Sequence, residues 1–403
     1  MLAAPDRAPP TDRAALLELA LVFLRLGTVA FGGPAAHLAM MRAEFVDKRR
    51  WLTPEEFLDL VGASNLIPGP GSTEVALFIG LRRAGWTGLV LAGLCFILPA
   101  ALLVSVFAWA YVRLGQMPQT AGLLAGLLYG IKPVIIAVVA QALWALGRAA
   151  LKTRLLAAIG IAGLALCFAG IAPLALLVGA GTLTGARGWW REGSARSLNP
   201  LLILAGAVAL LSLLPFALSS LAPHVTAAGP ASPLPLFVMF AKIGSVVFGS
   251  GYVLLAFLRA DLVTRLHWMT SAQLLDAVAV GQFTPGPVFT TATFIGYVLA
   301  GPAGAVAATL GIFLPAFAFV ALSGPLVPRL RRSPAAGAFL DGVNAASLAL
   351  MAFVTWQLAR AALVDGVTVG LVVVSAVLLL RFRVNSVWLV LGGALVGAVT
   401  GRH

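Results

Sequence analysis

The chain repeats itself. From Phe23 it reads FLRLGTVAFGG, and 217 residues later, from Phe240, it reads FAKIGSVVFGS. Phe23, Gly27, Val29, Phe31 and Gly32 match Phe240, Gly244, Val246, Phe248 and Gly249. Trp51, Thr53, Asp59 and Pro68-Gly69-Pro70 match Trp268, Thr270, Asp276 and Pro285-Gly286-Pro287. About 18 of about 48 aligned positions are identical, far above chance. After a small gap the match resumes, with Gly130, Trp144 and Arg148 aligned with Gly342, Trp356 and Arg360. A chain built this way folds as two homologous halves. The boundaries are a tail at 1–15, a first repeat at 16–186, a linking segment at 187–234 with an apolar stretch near 198–222, and a second repeat at 235–403.

The solvent of those halves follows from composition. Of 403 residues, 61% are hydrophobic and 10% charged, and mean hydropathy is +1.01. Soluble domains carry about 25% charged residues, so the fold class is an all-α polytopic membrane protein. A span needs about 20 apolar residues, which allows about 10–13 spans in the lipid bilayer. The net charge of +13 does not indicate nucleic acid, because the Arg and Lys residues sit in short loops between apolar segments. Cys95 and Cys167 lie in apolar runs with no His or second Cys near them. Core packing is their expected role, and neither a metal nor a cofactor is expected. The first 15 residues lack an apolar signal-peptide core, so the run from Leu16 is expected to be retained.

Each half has the same order of pieces: a first span (16–34; 235–252), an amphipathic stretch ending at Trp51 or Trp268, and two short apolar pieces broken by Pro-Gly-Pro. Longer spans and two shorter closing pieces follow. The basic loops favour inverted repeats. Arg82-Arg83 in half one becomes Ala-Gly in half two, whereas Arg329, Arg331 and Arg332 load the far side of the next span where half one has only Arg113. Opposite charge bias in homologous loops is what inverted topology produces. Counting every apolar piece between equivalent points as a crossing, the linking segment included, gives an even number, whereas inversion needs an odd one. Gly122, Gly126 and Gly130 have the small-xxx-small spacing of closely packed helices and permit a homodimer.

Arg25 and Lys242 occupy the same repeat position inside apolar spans, where an isolated cation costs about 2.5–3.5 kcal/mol. Snorkelling to the interface is the bland account. A two-cation site for a divalent anion is the functional one. The broken helices are the second signal. Asn65-Leu-Ile-Pro68-Gly69-Pro70 is followed by Ser72 and Thr73, and Gln282-Phe-Thr-Pro285-Gly286-Pro287 by Thr290, Thr291 and Thr293. Proline suits a helix's first turn and not its interior. Each corner therefore starts a helix with free N–H groups and hydroxyls that suit a tetrahedral oxyanion. Either corner alone would be a simple kink. Glu74 has three readings: a proton site, a salt bridge to Arg25 or Lys132, or a wall of a watery cavity. Lys132, whose repeat partner is Asn344, is a further intramembrane cation. Arg42 with Glu44, and Arg259 with Asp261, are surface pairs or gating salt bridges. The turns Gly32-Gly33-Pro34 and Gly249-Ser250-Gly251 end the first spans, and His37 reads as structural. No nucleotide-binding, hydrolase or metalloprotease motif is present, so an enzyme is not expected.

The stretch FGGPAAHLAMMRAEFV, the NLIPGPG corner and FGSGYVLL with TPGPVFTTATFIGY resemble the chromate ion transporter family over nearly the whole chain, in its long, two-domain form. The resemblance implies antiparallel halves and a bacterial inner-membrane exporter of chromate. It places family motifs on Gly32, Gly33, Pro34, His37, Glu44, Asn65, Pro68, Gly69 and Pro70. In half two they fall on Gly249, Gly251, Tyr252, Pro285, Gly286, Pro287, Thr291 and Thr293. Ser250 departs from the glycine expected there. A carrier of sulfate or another tetrahedral oxyanion, an anion channel, and a membrane enzyme acting on a phosphorylated lipid are the rival readings.

Overall fold

The computed structural model describes residues 13–30, 33–65, 67–191, 232–248, 253–323, 334–382 and 384–400. Gly32, Gly249, Gly251, Tyr252, the 329–332 arginines and the 198–222 stretch lie outside them. Among the described residues every regular element is helical. Half one contains α1 (Arg13–Val29), α2 (Gly33–Arg42) widening into a π-helical turn (Ala43–Lys48), α3 (Pro54–Ser64), α4 (Gly71–Gln116), α5 (Pro118–Ala150), α6 (Arg154–Phe168) and α7 (Pro173–Arg191). Half two contains α8 (Pro233–Gly244), α9 (Leu254–Leu258) with a π-helical turn (Arg259–Arg265), α10 (Ser271–Phe283), α11 (Thr291–Ser323), α12 (Pro334–Ala362), α13 (Gly366–Arg381) and α14 (Ser386–Thr400). Among the described residues four apolar stretches are long enough to cross a bilayer, in α4, α5, α11 and α12, and shorter apolar helices accompany them.

The repeat extends to local geometry. Thr53 with Glu56 and Thr270 with Gln273 form capping boxes at α3 and α10, satisfying two first-turn donors reciprocally. Arg50 and His267 both take φ near +50° (53° and 52°) just before the paired tryptophans. α4 and α11 are each two helices joined by a sharp turn. Ala84-Gly85 has φ/ψ of −145°/28° and 60°/−146°, and Ala300-Gly301 has −142°/26° and 62°/−154°. Glycine reaches positive φ without steric penalty. The turn folds limb α4a (71–83) back along α4b (86–116): a Cβ on Gly80 would lie 2.3 Å from the Gly88 carbonyl oxygen, and one on Gly88 2.1 Å from that of Gly80. Gly296 and Gly304 do the same between α11a (291–299) and α11b (302–323).

The first piece of each repeat is also a hairpin limb rather than an independent span. α1 ends at Val29, and α2 returns beside it, with Ala30 meeting His37, Arg25 meeting Glu44, and Glu18 meeting Arg49. α3 and α4a form a second hairpin, with Glu56 meeting Arg82 at its mouth and Pro68-Gly69-Pro70 at its tip. These pieces enter and leave on the same side, which removes the crossing-count difficulty that inversion raised.

The long limb α4b fixes the relation between the halves. Near its start Gly88 lies against α4a. Farther along, Ala100 lies against Gly286 at the other half's tip. Phe107 then packs edge-on to Phe283 at 6.0 Å, and Tyr111 bonds to Asp276 toward the start of α10. α4b therefore runs from the hairpin mouths of half one to those of half two, so the repeats are antiparallel. With 31 residues it is about 46 Å long, beyond the ~30 Å hydrocarbon core. One core cluster joins the half-one hairpins to Ala316, Phe319 and Val320 of α11b, and another joins the half-two hairpins to α4b, α5, α6 and α7 of half one.

The glycine stripe of α5 packs on α14. A Cβ on Gly130 would lie 1.8 Å from the Gly393 carbonyl oxygen, and one on Gly126 3.0 Å from that of Gly397. Gly130→Val is expected to cost about 3 kcal/mol or more by overpacking a backbone contact that cannot yield, and Gly126→Ala clearly less. Yield of monodisperse protein and its thermal midpoint in detergent measure both.

Candidate functional site

The hairpin tips meet at the pseudo-twofold centre. The Gly69 N–H donates to the Val247 carbonyl at 2.7 Å, and the Gly286 N–H donates to the Ala30 carbonyl at 2.9 Å. These two bonds are repeat equivalents of one another, so each Pro-Gly-Pro corner caps the first helix of the opposite half. The prolines and glycines of both corners are buried. His37, also buried, sits beneath one of them. Its Nε2 donates to the Ala30 carbonyl at 3.1 Å, which leaves Nδ1 to accept from the Ser72 hydroxyl at 3.1 Å. Its ring lies edge-on to Phe96.

The corner hydroxyls are partly committed. Thr290 donates to the Pro287 carbonyl, Thr291 to the Val288 carbonyl, and Thr293 shares a 2.7 Å bond with Thr309. Thr73 Oγ1, both carboxylate oxygens of Glu74, and Gln282 Nε2 are buried without a hydrogen-bond partner. Such groups are rare in a folded interior. Asn65, the repeat equivalent of Gln282, is exposed at the end of α3. Gly33 opens α2 with φ 77°, followed by Pro34 in the first turn, where proline is tolerated.

The intramembrane cations are paired. Arg25 Nη2 lies 2.5 Å from Glu44 Oε2, and Lys242 Nζ lies 3.1 Å from Asp261 Oδ2. Both carboxylates hold a second cation four residues on: Lys48 at 3.8 Å from Glu44, and Arg265 at 2.8 Å from Asp261. Half one adds Arg49, bonded to Glu44 at 2.7 Å, with Arg49 and Arg83 over the Trp51 ring. Each cation is thus held by a carboxylate of its own hairpin rather than left bare. The sequence pairing of Arg42 with Glu44 and of Arg259 with Asp261 is corrected: residues two apart face different sides of a helix, whereas i,i+4 neighbours meet. Arg42 is exposed, and Arg259 Nε is buried without a partner. A salt bridge from Glu74 to Arg25 or Lys132 is likewise overturned, since Glu74 has neither as a partner.

Lys132 instead meets Asp276. Nζ lies 2.9 Å from Oδ1, off the angle of a directed hydrogen bond, and the Tyr111 hydroxyl donates to Oδ2 at 2.9 Å. The pair lines a cavity of about 560 Å³ together with Tyr129, Leu124 and Leu128. At its rim Tyr129 donates to Asp365. The Thr368 backbone N–H and that hydroxyl hold the exposed Asp365 carboxyl below its usual range. In the sequence, Asp276 is visible only as the repeat match of Asp59. Its signal is a lone carboxylate in the apolar run LLDAVAVGQF. Asn344, opposite Lys132 in the repeat, is half-buried on α12.

No solved structure matches the chain. A chromate transport protein of Cupriavidus metallidurans is 33% identical over 95% of this chain and 93% of its own length. One from Pseudomonas aeruginosa is 35% identical over 93% and 90%. The family profile described as chromate transporter matches residues 17–186 and 234–398, which are the two structural halves with their hairpins, tips and paired cations. With both repeats matched in full-length relatives, the chain belongs to the chromate transporter family.

Proposed function

We propose that the chain is a secondary active transporter, not an enzyme, that exports chromate across the bacterial inner membrane and thereby confers chromate resistance. The observation that carries this reading is the meeting of two antiparallel repeats through reciprocal bonds between half-length hairpins. Structures of this kind alternate access by exchanging the conformations of their two halves around a midplane site. A divalent oxyanion leaving a negative interior gains about 4.6 kcal/mol per 100 mV, so the membrane potential favours export, in addition to the ion or proton gradient that drives the cycle.

The oxyanion path runs along the cavity to the hairpin tips. There Thr73 Oγ1 and Gln282 Nε2 are unpartnered, and Ser72, Thr290, Thr291 and Thr293 supply further hydroxyls after small rotations. Arg25–Glu44 and Lys242–Asp261 are the gating pairs on the two sides. The test is uptake of radiolabelled chromate into inside-out vesicles, with sulfate as competitor. Saturable uptake is expected, reduced at least tenfold by Arg25→Gln or Lys242→Gln at equal protein level. Unsaturable conductance would replace the carrier with a channel, and uptake of sulfate in place of chromate would change the cargo.

A further inference from the structure

We infer that Lys132 is an oxyanion contact and that Asp276 is its resident counter-ion, displaced when the oxyanion enters the cavity. The inference rests on the reading of the chain as an oxyanion carrier and deepens it. Among the described residues, Lys132 and Asp276 are the only charged ones lining the cavity. The lysine side chain is 20% exposed and the aspartate 6%, so the ammonium faces the cavity and the carboxylate stands behind it. An anion entering past the Tyr129–Asp365 rim meets the cation first. The carboxylate stays oriented by Tyr111 on its other oxygen. The contact between Nζ and Oδ1 is a 2.9 Å ion pair to a single carboxylate oxygen, and an ammonium has three donors with which to meet an incoming oxyanion. Half two holds Asn344 where half one has Lys132, so this cation serves one side of the carrier.

The pair has a consequence for turnover. A carrier that returns empty must move its site without cargo, and carrying a bare ammonium through the low-dielectric interior resists that move. With Asp276 in place the empty site is neutral. Oxyanion–oxyanion exchange needs no empty return and does not depend on the counter-ion.

Asp276→Asn, Lys132→Gln and Lys132→Arg would be reconstituted in proteoliposomes with wild type. Both potential-driven net chromate flux and chromate–chromate exchange would be measured. For Asp276→Asn, net flux is expected to fall at least tenfold, while exchange persists with a half-saturation lowered about threefold or more. Lys132→Gln is expected to lose both, and Lys132→Arg to retain exchange. The double variant Lys132→Gln/Asp276→Asn, which leaves no lone charge, checks folding by its elution profile in detergent. If Asp276→Asn reduces net flux and exchange equally while remaining folded, or if Lys132→Gln keeps saturable exchange, the inference is overturned. If wild type exchanges neither chromate nor sulfate, the transport reading falls and takes the inference with it.

Discussion

Gly286→Ala abolishes transport and lowers stability by about 3 kcal/mol or more. The new Cβ would lie 2.5 Å from the Ala100 Cβ and 3.1 Å from the Gly27 carbonyl oxygen, with φ at +92°. Left-handed backbone costs a residue with a Cβ about 1–2 kcal/mol, and overpacking adds about 1–3 kcal/mol. Neither obstacle can rotate away, because one is a methyl fixed to α4b and the other is backbone. The substitution also pushes the corner off α1, lengthening the Gly286–Ala30 bond that joins the halves. Gly69→Ala is the comparison. It carries backbone strain of its own at φ +142°, but its Cβ meets the end of the Glu74 side chain at 2.3 Å, which can move, so its overpacking cost is smaller and its effect falls on Glu74. Thermal unfolding of the purified protein and chromate flux in proteoliposomes measure both. Equal effects of the two would mean that the Gly286 tip is not wedged between α1 and α4b.

The repeat, the helical class and the breaks at Pro-Gly-Pro were all legible in the sequence, because each depends on residue type at fixed spacing. The antiparallel relation was legible too, through the opposite placement of Arg82-Arg83 and the half-two arginines. Hydropathy, however, measures apolar length and not direction. The run that begins at Leu16 reads as a span, yet α1 is matched by a returning limb and enters the protein only as far as its centre. The partners of Arg25 and Lys242 were hidden for a different reason. Each carboxylate lies 19 residues on, on the limb that returns beside the first helix, and spacing within one helix does not reveal a pair made across a hairpin. Asp276 was hidden because its partner Lys132 is on another helix, and the repeat offers no second copy of that pair to reveal it.

Asp261→Asn is expected to destabilise the protein by about 3–5 kcal/mol, the cost of removing one partner of a buried pair. The carboxylate is 8% exposed and serves Lys242, itself 19% exposed, as well as Arg265. Without it Lys242 is left as an uncompensated cation inside the hairpin. Lys242→Gln is milder, since Arg265 still neutralises Asp261. The double variant Lys242→Gln/Asp261→Asn is therefore expected to be more stable than Asp261→Asn alone. Arg265, 46% exposed, is then the one cation left and reaches water. Coupling between neighbours in one ionic network is about 0.5–3 kcal/mol, large enough to read from thermal midpoints. The equivalent change in half one, Glu44→Gln, costs less on the side of Arg25 and Lys48, which are 53% and 62% exposed. Flux then separates the two roles these pairs could serve. If they only clamp the hairpins, the double variant regains transport together with stability. If they open and close during the cycle, it regains stability while transport stays low, because a hairpin held without charge has no pair to exchange as the halves trade conformations.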